Sequence, residues 1–122
     1  MGNSTPAGMD AAKEFVDRKL TSKQVVVFSK SWCPFCHKAK AALVKAGVDP
    51  AAYEVVELDR DDTGEADARA VQAVLGDLTG ASSVPRVFIA KRCVGGGDET
   101  SQLASSGQLQ KMLADAGALL VR

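Results

Sequence analysis

An even set of cysteines, long apolar runs and any surplus of charge are all missing from this chain. Its three cysteines leave one over after any pairing. That argues against the even-numbered disulfide framework of a small secreted domain and for a reducing compartment, so a cytoplasmic location is expected. Fifteen Lys and Arg balance fifteen Asp and Glu, and this zero net charge gives no argument for nucleic acid or a membrane surface as a partner. No apolar run approaches the ~18 residues of a membrane-spanning helix. The stretch Met1 to Met9 has no basic n-region, no apolar h-region and no arginines, so it does not read as a targeting peptide. Gly2 invites myristoylation, but Pro6 stands where that motif needs Ser or Thr.

What the chain does have is enough apolar residues, 46% of 122, for one packed core and therefore one domain. Residues 1–8 read as a flexible tail and 9–122 as the domain. Asp10 is placed to N-cap a first helix whose buried face carries Ala12, Phe15, Val16 and Leu20, ended by Thr21-Ser22-Lys23. Val25 to Phe28 is a continuous apolar strand of the kind a parallel sheet covers on both faces. Ala39, Leu43 and Ala46 mark a second helix that Gly47 stops. Tyr53 to Leu58 predicts a second strand, ending in the polar loop Asp59-Arg60-Asp61-Asp62. Val71, Val74, Leu75 and Leu78 give a third helix at i, i+3, i+4 and i+7. Val87 to Ile89 is a third strand, and Cys93-Val94 a short fourth, paired through Ala90-Lys91-Arg92. Gly95-Gly96-Gly97 is a sharp loop, and Leu109, Met112, Leu113 and Ala116 face inward from a last helix. The order α-β-α-β-α-β-β-α predicts an α/β fold: a four-stranded mixed sheet flanked by helices on both faces. Its first two strands are parallel through a right-handed crossover, and its last two form a hairpin.

The chemistry concentrates where the first strand meets the second helix, at Cys33-Pro34-Phe35-Cys36. Unpaired N–H groups and the positive end of the helix dipole stabilise a thiolate there. The thiolate is the nucleophile of disulfide exchange, so the site reads as redox-active. Cys33, at or near the N-cap, faces the free N–H groups and solvent and is the candidate nucleophile. Pro34 suits the first helical position. Cys36, within the first turn, should be more buried and less acidic, the candidate resolving thiol. Lys30 adds a nearby cation able to pair with an acidic substrate.

This order, with its dithiol after the first strand, resembles the thioredoxin-like fold, and further features resemble glutaredoxin within it. They are Lys30-Ser31-Trp32-Cys33-Pro34-Phe35-Cys36, Leu78-Thr79-Gly80, Ser83-Val84-Pro85-Arg86-Val87-Phe88-Ile89 and Val94-Gly95-Gly96-Gly97-Asp98-Glu99. The likeness runs from about Asp10 to about Ala116. It implies a dithiol glutaredoxin: a glutathione-dependent disulfide oxidoreductase acting on protein–glutathione mixed disulfides and protein disulfides. Cys33 and Cys36 would be catalytic. Glutathione would be the co-substrate, and glutathione reductase an indirect partner that recycles it. A monomer is expected.

The resemblance also implies the ligand contacts. Lys30 and Gln72 would hold the glycine carboxylate of glutathione, and Phe35 would pack beside the sulfur. Val84, before a cis Pro85, would offer its backbone to the ligand's cysteine as an edge strand does. Gly97 and Asp98 would meet the γ-glutamyl end, the first by its N–H and the second as a carboxylate for the ammonium. Asp98 also suits the N-cap of a helix starting near Glu99. Departures from the family pattern are Ser83 for the usual Thr, Gly97 where many relatives have Cys, and Phe35 without a tyrosine hydroxyl.

Cys93 reads either as strand packing or as a secondary oxidation site. Cys33-x-x-Cys36-His37 matches the c-type haem pattern, but no export signal accompanies it and Pro34 belongs to a redox fold. His37 then reads as an exposed helix residue. Zinc at Cys33, Cys36, His37 and Cys93 would need tetrahedral convergence. The serious alternative is a glutathione-ligated 2Fe-2S cluster held by Cys33 of two protomers. In the family that habit is commoner without the proline, so Pro34 argues against it.

Overall fold

A computed structural model describes residues 6–64 and 66–120. It contains α1 (Pro6–Ser22), β1 (Val25–Ser29), α2 (Pro34–Ala46), β2 (Tyr53–Glu57), α3 (Ala68–Thr79), β3 (Arg86–Ile89), β4 (Arg92–Gly95), α4 (Gly97–Ser105) and α5 (Gln108–Asp115). The strands form one sheet in the order β2-β1-β3-β4. β1 pairs parallel with β2, Val27 opposite Val55, and antiparallel with β3, Val27 opposite Val87. β3 turns through Ala90 and Lys91, both at positive φ, into antiparallel β4. This is the mixed, thioredoxin-like sheet that the resemblance implied.

Every residue of β1 is buried. Side chains alternate across a strand, so β1 feeds two cores. Val26 and Phe28 join Phe15, Val16, Val71, Val74 and Leu75 beneath α1 and α3. Val25 and Val27 join Leu43, Leu109 and Leu113 beneath α2 and α5. Phe28 meets Phe88 edge-on at 5.7 Å between ring centres. Ends are set locally. Asp67 accepts from the Ala70 N–H at 2.9 Å to cap α3, and Gly47, at φ 94°, closes α2. Among the described residues no helix is long and apolar enough to cross a membrane.

Four expectations are corrected. α1 begins at Pro6, so Asp10 lies inside the helix and does not cap it. The segment after β4 makes two helices, α4 and α5, giving five α-helices among the described residues instead of four. Asp98 is in the first turn of α4, whose N-cap is Gly96. β2 ends one residue early at Glu57, though the Leu58 N–H still reaches Ser29 O at 2.7 Å.

Candidate active site

β1 ends at Ser29, and the next four residues carry the chain to the start of α2. Cys33 is the N-cap, extended at φ −83° and ψ 121°, and Pro34 follows as the first helical residue. The Cys33 Sγ accepts from the Cys36 N–H at 3.4 Å, the side-chain capping bond that an N-cap makes. The Cys36 Sγ in turn accepts from the Lys30 N–H at 3.4 Å. Both cysteines are free thiols. Cys36 is wholly buried and Cys33 is 6% exposed, so Cys33 keeps slight contact with solvent and is not an open surface group. Burial pushes the Cys36 thiol up from its ordinary value, against the opposing pull of the Lys30 N–H. At neutral pH it is a thiol.

Opposite the sulfurs lies the turn into β3, where the Val84–Pro85 peptide bond is cis. The Cys33 thiol points at Val84 O, 3.8 Å away. Pro85 is buried, and Arg86 Nε donates to Pro85 O at 3.0 Å. On a third side β4 runs into α4 through Gly95, at φ 121°, and Gly96. The Gly96 N–H donates to Glu99 Oε1 at 2.9 Å, and this bond, more than the nearby Arg86, holds the Glu99 carboxyl below its ordinary range. A Cβ on Gly97 would lie 2.6 Å from Phe35 O, so the glycine lets the start of α4 close against the start of α2.

The side chains expected to bind a ligand have the following surroundings. Phe35 and Trp32 are more than half exposed beside the thiols. Lys30 Nζ sits 6.0 Å from the centre of the Trp32 ring and makes no ion pair among the described residues. Gln72 is occupied in part, its amide donating to Ser82 O at 2.9 Å. Asp98 Oδ1 accepts from Lys38 Nζ at 2.8 Å.

Two features lay beyond sequence reasoning. Lys38 had no marker beyond its place on α2. Ser31, in the loop before Cys33, is clamped from two sides. Its N–H and hydroxyl donate to Asp59 at 2.9 and 2.5 Å, and its carbonyl accepts from His37 Nε2 at 2.6 Å. Those two Ser31 bonds hold the Asp59 carboxyl low. A carbonyl only accepts, so Nε2 carries the ring hydrogen. His37 is thus exposed, as expected, but engaged. Cys93 is half-buried on β4 against the core beneath α1 and α3, apart from the dithiol. Among the described residues no three His, Cys, Asp or Glu side chains converge as a metal site.

A buried dithiol at a helix N-terminus, facing a cis-proline turn at one end of a mixed sheet, defines a thiol–disulfide centre on a thioredoxin-like scaffold. The glutaredoxin family model matches residues 25–94. A glutaredoxin of Ricinus communis is 42% identical over 111 residues, 91% of this chain and 98% of that relative. The crystal structure of oxidized glutaredoxin 2 from Chlamydomonas reinhardtii is similar at TM-score 0.79 and 44% identity, covering 92% of this chain and 98% of that one. A buckwheat glutaredoxin–glutathione complex is similar at TM-score 0.83 and 33% identity, over 95% and 99% of the two chains. The chain belongs to the glutaredoxin family, whose members are thiol–disulfide oxidoreductases.

Proposed function

We propose that this glutaredoxin reduces protein–glutathione mixed disulfides, and protein disulfides, with glutathione as the reductant. The observation that carries the reading is the asymmetry of the two thiols. Cys33 caps α2 with a slight opening to solvent, while Cys36 lies wholly buried with its thiol held protonated. One sulfur is placed to attack and the other to wait. The buckwheat relative captured with glutathione supports the choice of co-substrate.

In the cycle, Cys33 thiolate attacks the glutathionyl sulfur of the mixed disulfide. That S–S bond breaks, and the reduced protein leaves as a thiolate that takes a proton from water. A new disulfide joins Cys33 to glutathione. A second glutathione thiolate attacks the glutathionyl sulfur, releasing glutathione disulfide and restoring Cys33. Lys30 and Gln72 face the glycine carboxylate, and Phe35 packs beside the sulfur. The Val84 backbone pairs with the ligand's cysteine, with Pro85 fixing its turn. The Gly97 N–H and the Asp98 carboxylate take the γ-glutamyl end. Cys36 is spared here; with a protein disulfide it attacks Cys33 of the mixed intermediate and frees the substrate.

The test is glutathione-dependent turnover of a glutathionylated peptide, followed through glutathione reductase and NADPH. Cys33→Ser is expected to abolish turnover. Cys36→Ser is expected to keep it and to lose reduction of a protein disulfide. Turnover retained by Cys33→Ser, or lost in a folded Cys36→Ser protein, would refute the assignment.

A further inference from the structure

The Lys38–Asp98 ion pair spans the junction of α2 and α4 beside the dithiol, at N–O 2.8 Å. Its side chains are 47% and 59% exposed. A pair so open to water adds little to stability, so folding does not explain its place. What stands out is its polarity. Asp98 Oδ1 is occupied by Lys38, which leaves Oδ2 for a second cation. The Lys38 ammonium, strongly hydrated and carrying three donors, has donors to spare for an anion. A fixed cation next to a fixed anion is the electrostatic complement of an α-amino acid, whose ammonium and carboxylate sit on one carbon. Asp98 selects the ammonium, while the Gly97 N–H, an uncharged donor, offers the carboxylate a hydrogen bond but no opposite charge.

We propose that Lys38 is a recognition residue of this site, taking the α-carboxylate of the γ-glutamyl group while Asp98 takes its ammonium. Each charge of the ligand end then meets a side chain of opposite sign. The inference rests on the glutathione reading of the cleft and extends it by one residue. Lys38 thereby sets specificity for a ligand end that carries both charges, and Gly97 allows it. With no Cβ between α4 and Phe35 O, the first turn of α4, and Asp98 with it, seats within reach of Lys38 on α2.

The experiment uses two mixed disulfides of 2-hydroxyethanethiol, one with glutathione and one with 4-aminobutyryl-cysteinyl-glycine. The second lacks only the carboxylate in question. All proteins carry Cys36→Ser, so that the adduct on Cys33 accumulates and its mass shows which sulfur was attacked. Cys33 attacks the tripeptide sulfur, the S–S bond breaks and 2-hydroxyethanethiolate leaves. With Lys38 intact, the second-order rate should favour glutathione by about threefold to fivefold, the scale of one exposed charge pair. Lys38→Met should lower that preference to what the Gly97 N–H alone supplies by slowing only the glutathione disulfide, and Lys38→Arg should keep it. An unchanged preference in Lys38→Met, or equal slowing of both disulfides, would overturn the role of Lys38 alone. Attack on the hydroxyethyl sulfur by the protein with Lys38 intact would overturn the glutathione reading and this inference with it.

Discussion

Sulfur, phenol and carboxyl groups in this molecule are tuned by what surrounds each of them. The Cys36 thiol is raised chiefly because no water reaches it, while Glu99 is lowered chiefly because a backbone N–H does. Tyr53, the only tyrosine, is the clearest case, its phenol pushed up to about 12 by burial and then by the Glu57 charge. An unfolded chain would ionise it near 10.0. The folded state therefore favours the neutral phenol. The stability linked to it is full below the unfolded value and declines as pH rises from there to the folded one. Titration of tyrosinate absorbance is expected to show its midpoint near 12 with far-UV ellipticity intact. A midpoint at 10.0 in a still-folded protein would contradict the burial seen for Tyr53.

Whole elements depend on a few positions where the backbone has no freedom. At Gly95, φ is 121° and a Cβ would lie 2.8 Å from the Glu99 Cβ and Cγ. Gly95→Ala should therefore destabilise the protein by about 1–3 kcal/mol, read as a lower urea midpoint at unchanged slope. Ala tolerated there with no loss would mean that β4 and α4 can shift apart. The same junction shows how far sequence carries. β1, a continuous apolar run, and α3, with its helical spacing of apolar residues, were legible because burial imposes the pattern directly. α4 was not legible as a helix of its own. It is short, its buried residues are Gly97 and Thr100, and its first turn is polar. The start of α1 was misplaced because Asp10 has the chemistry of a cap without the position of one. In the site, the cysteines, the cis proline and the glycine turn carry motifs. The Ser31–Asp59 and Lys38–Asp98 contacts join residues 28 and 60 positions apart, and no local spacing announces them.

At the scale of the molecule the sheet is a shared wall. Leu43 and Leu75 are both fully buried, one in the core beneath α2 and α5, the other in the core beneath α1 and α3. Because β1 supplies alternate residues to both, damage on either side should lower the stability of the whole. Leu43→Ala and Leu75→Ala are each expected to cost about 2–5 kcal/mol. In both variants, unfolding followed by fluorescence of the single tryptophan and by far-UV ellipticity should coincide. Two separate transitions would show that the faces melt independently.

The strand order also decides which backbone is left unpaired, since β2 and β4 each show one edge. Neither edge invites a foreign strand. β2 carries Glu54 and Glu57, held by Lys19 and Lys40 at 2.6 and 2.8 Å. β4 is four residues long, begins with exposed Arg92, loses register against β3 between Val87 and Phe88, and ends at a glycine. Charge and brevity at the rims are the means by which natural sheets resist amyloid-like growth. They let a thiol–disulfide oxidoreductase keep a sheet that stops at four strands.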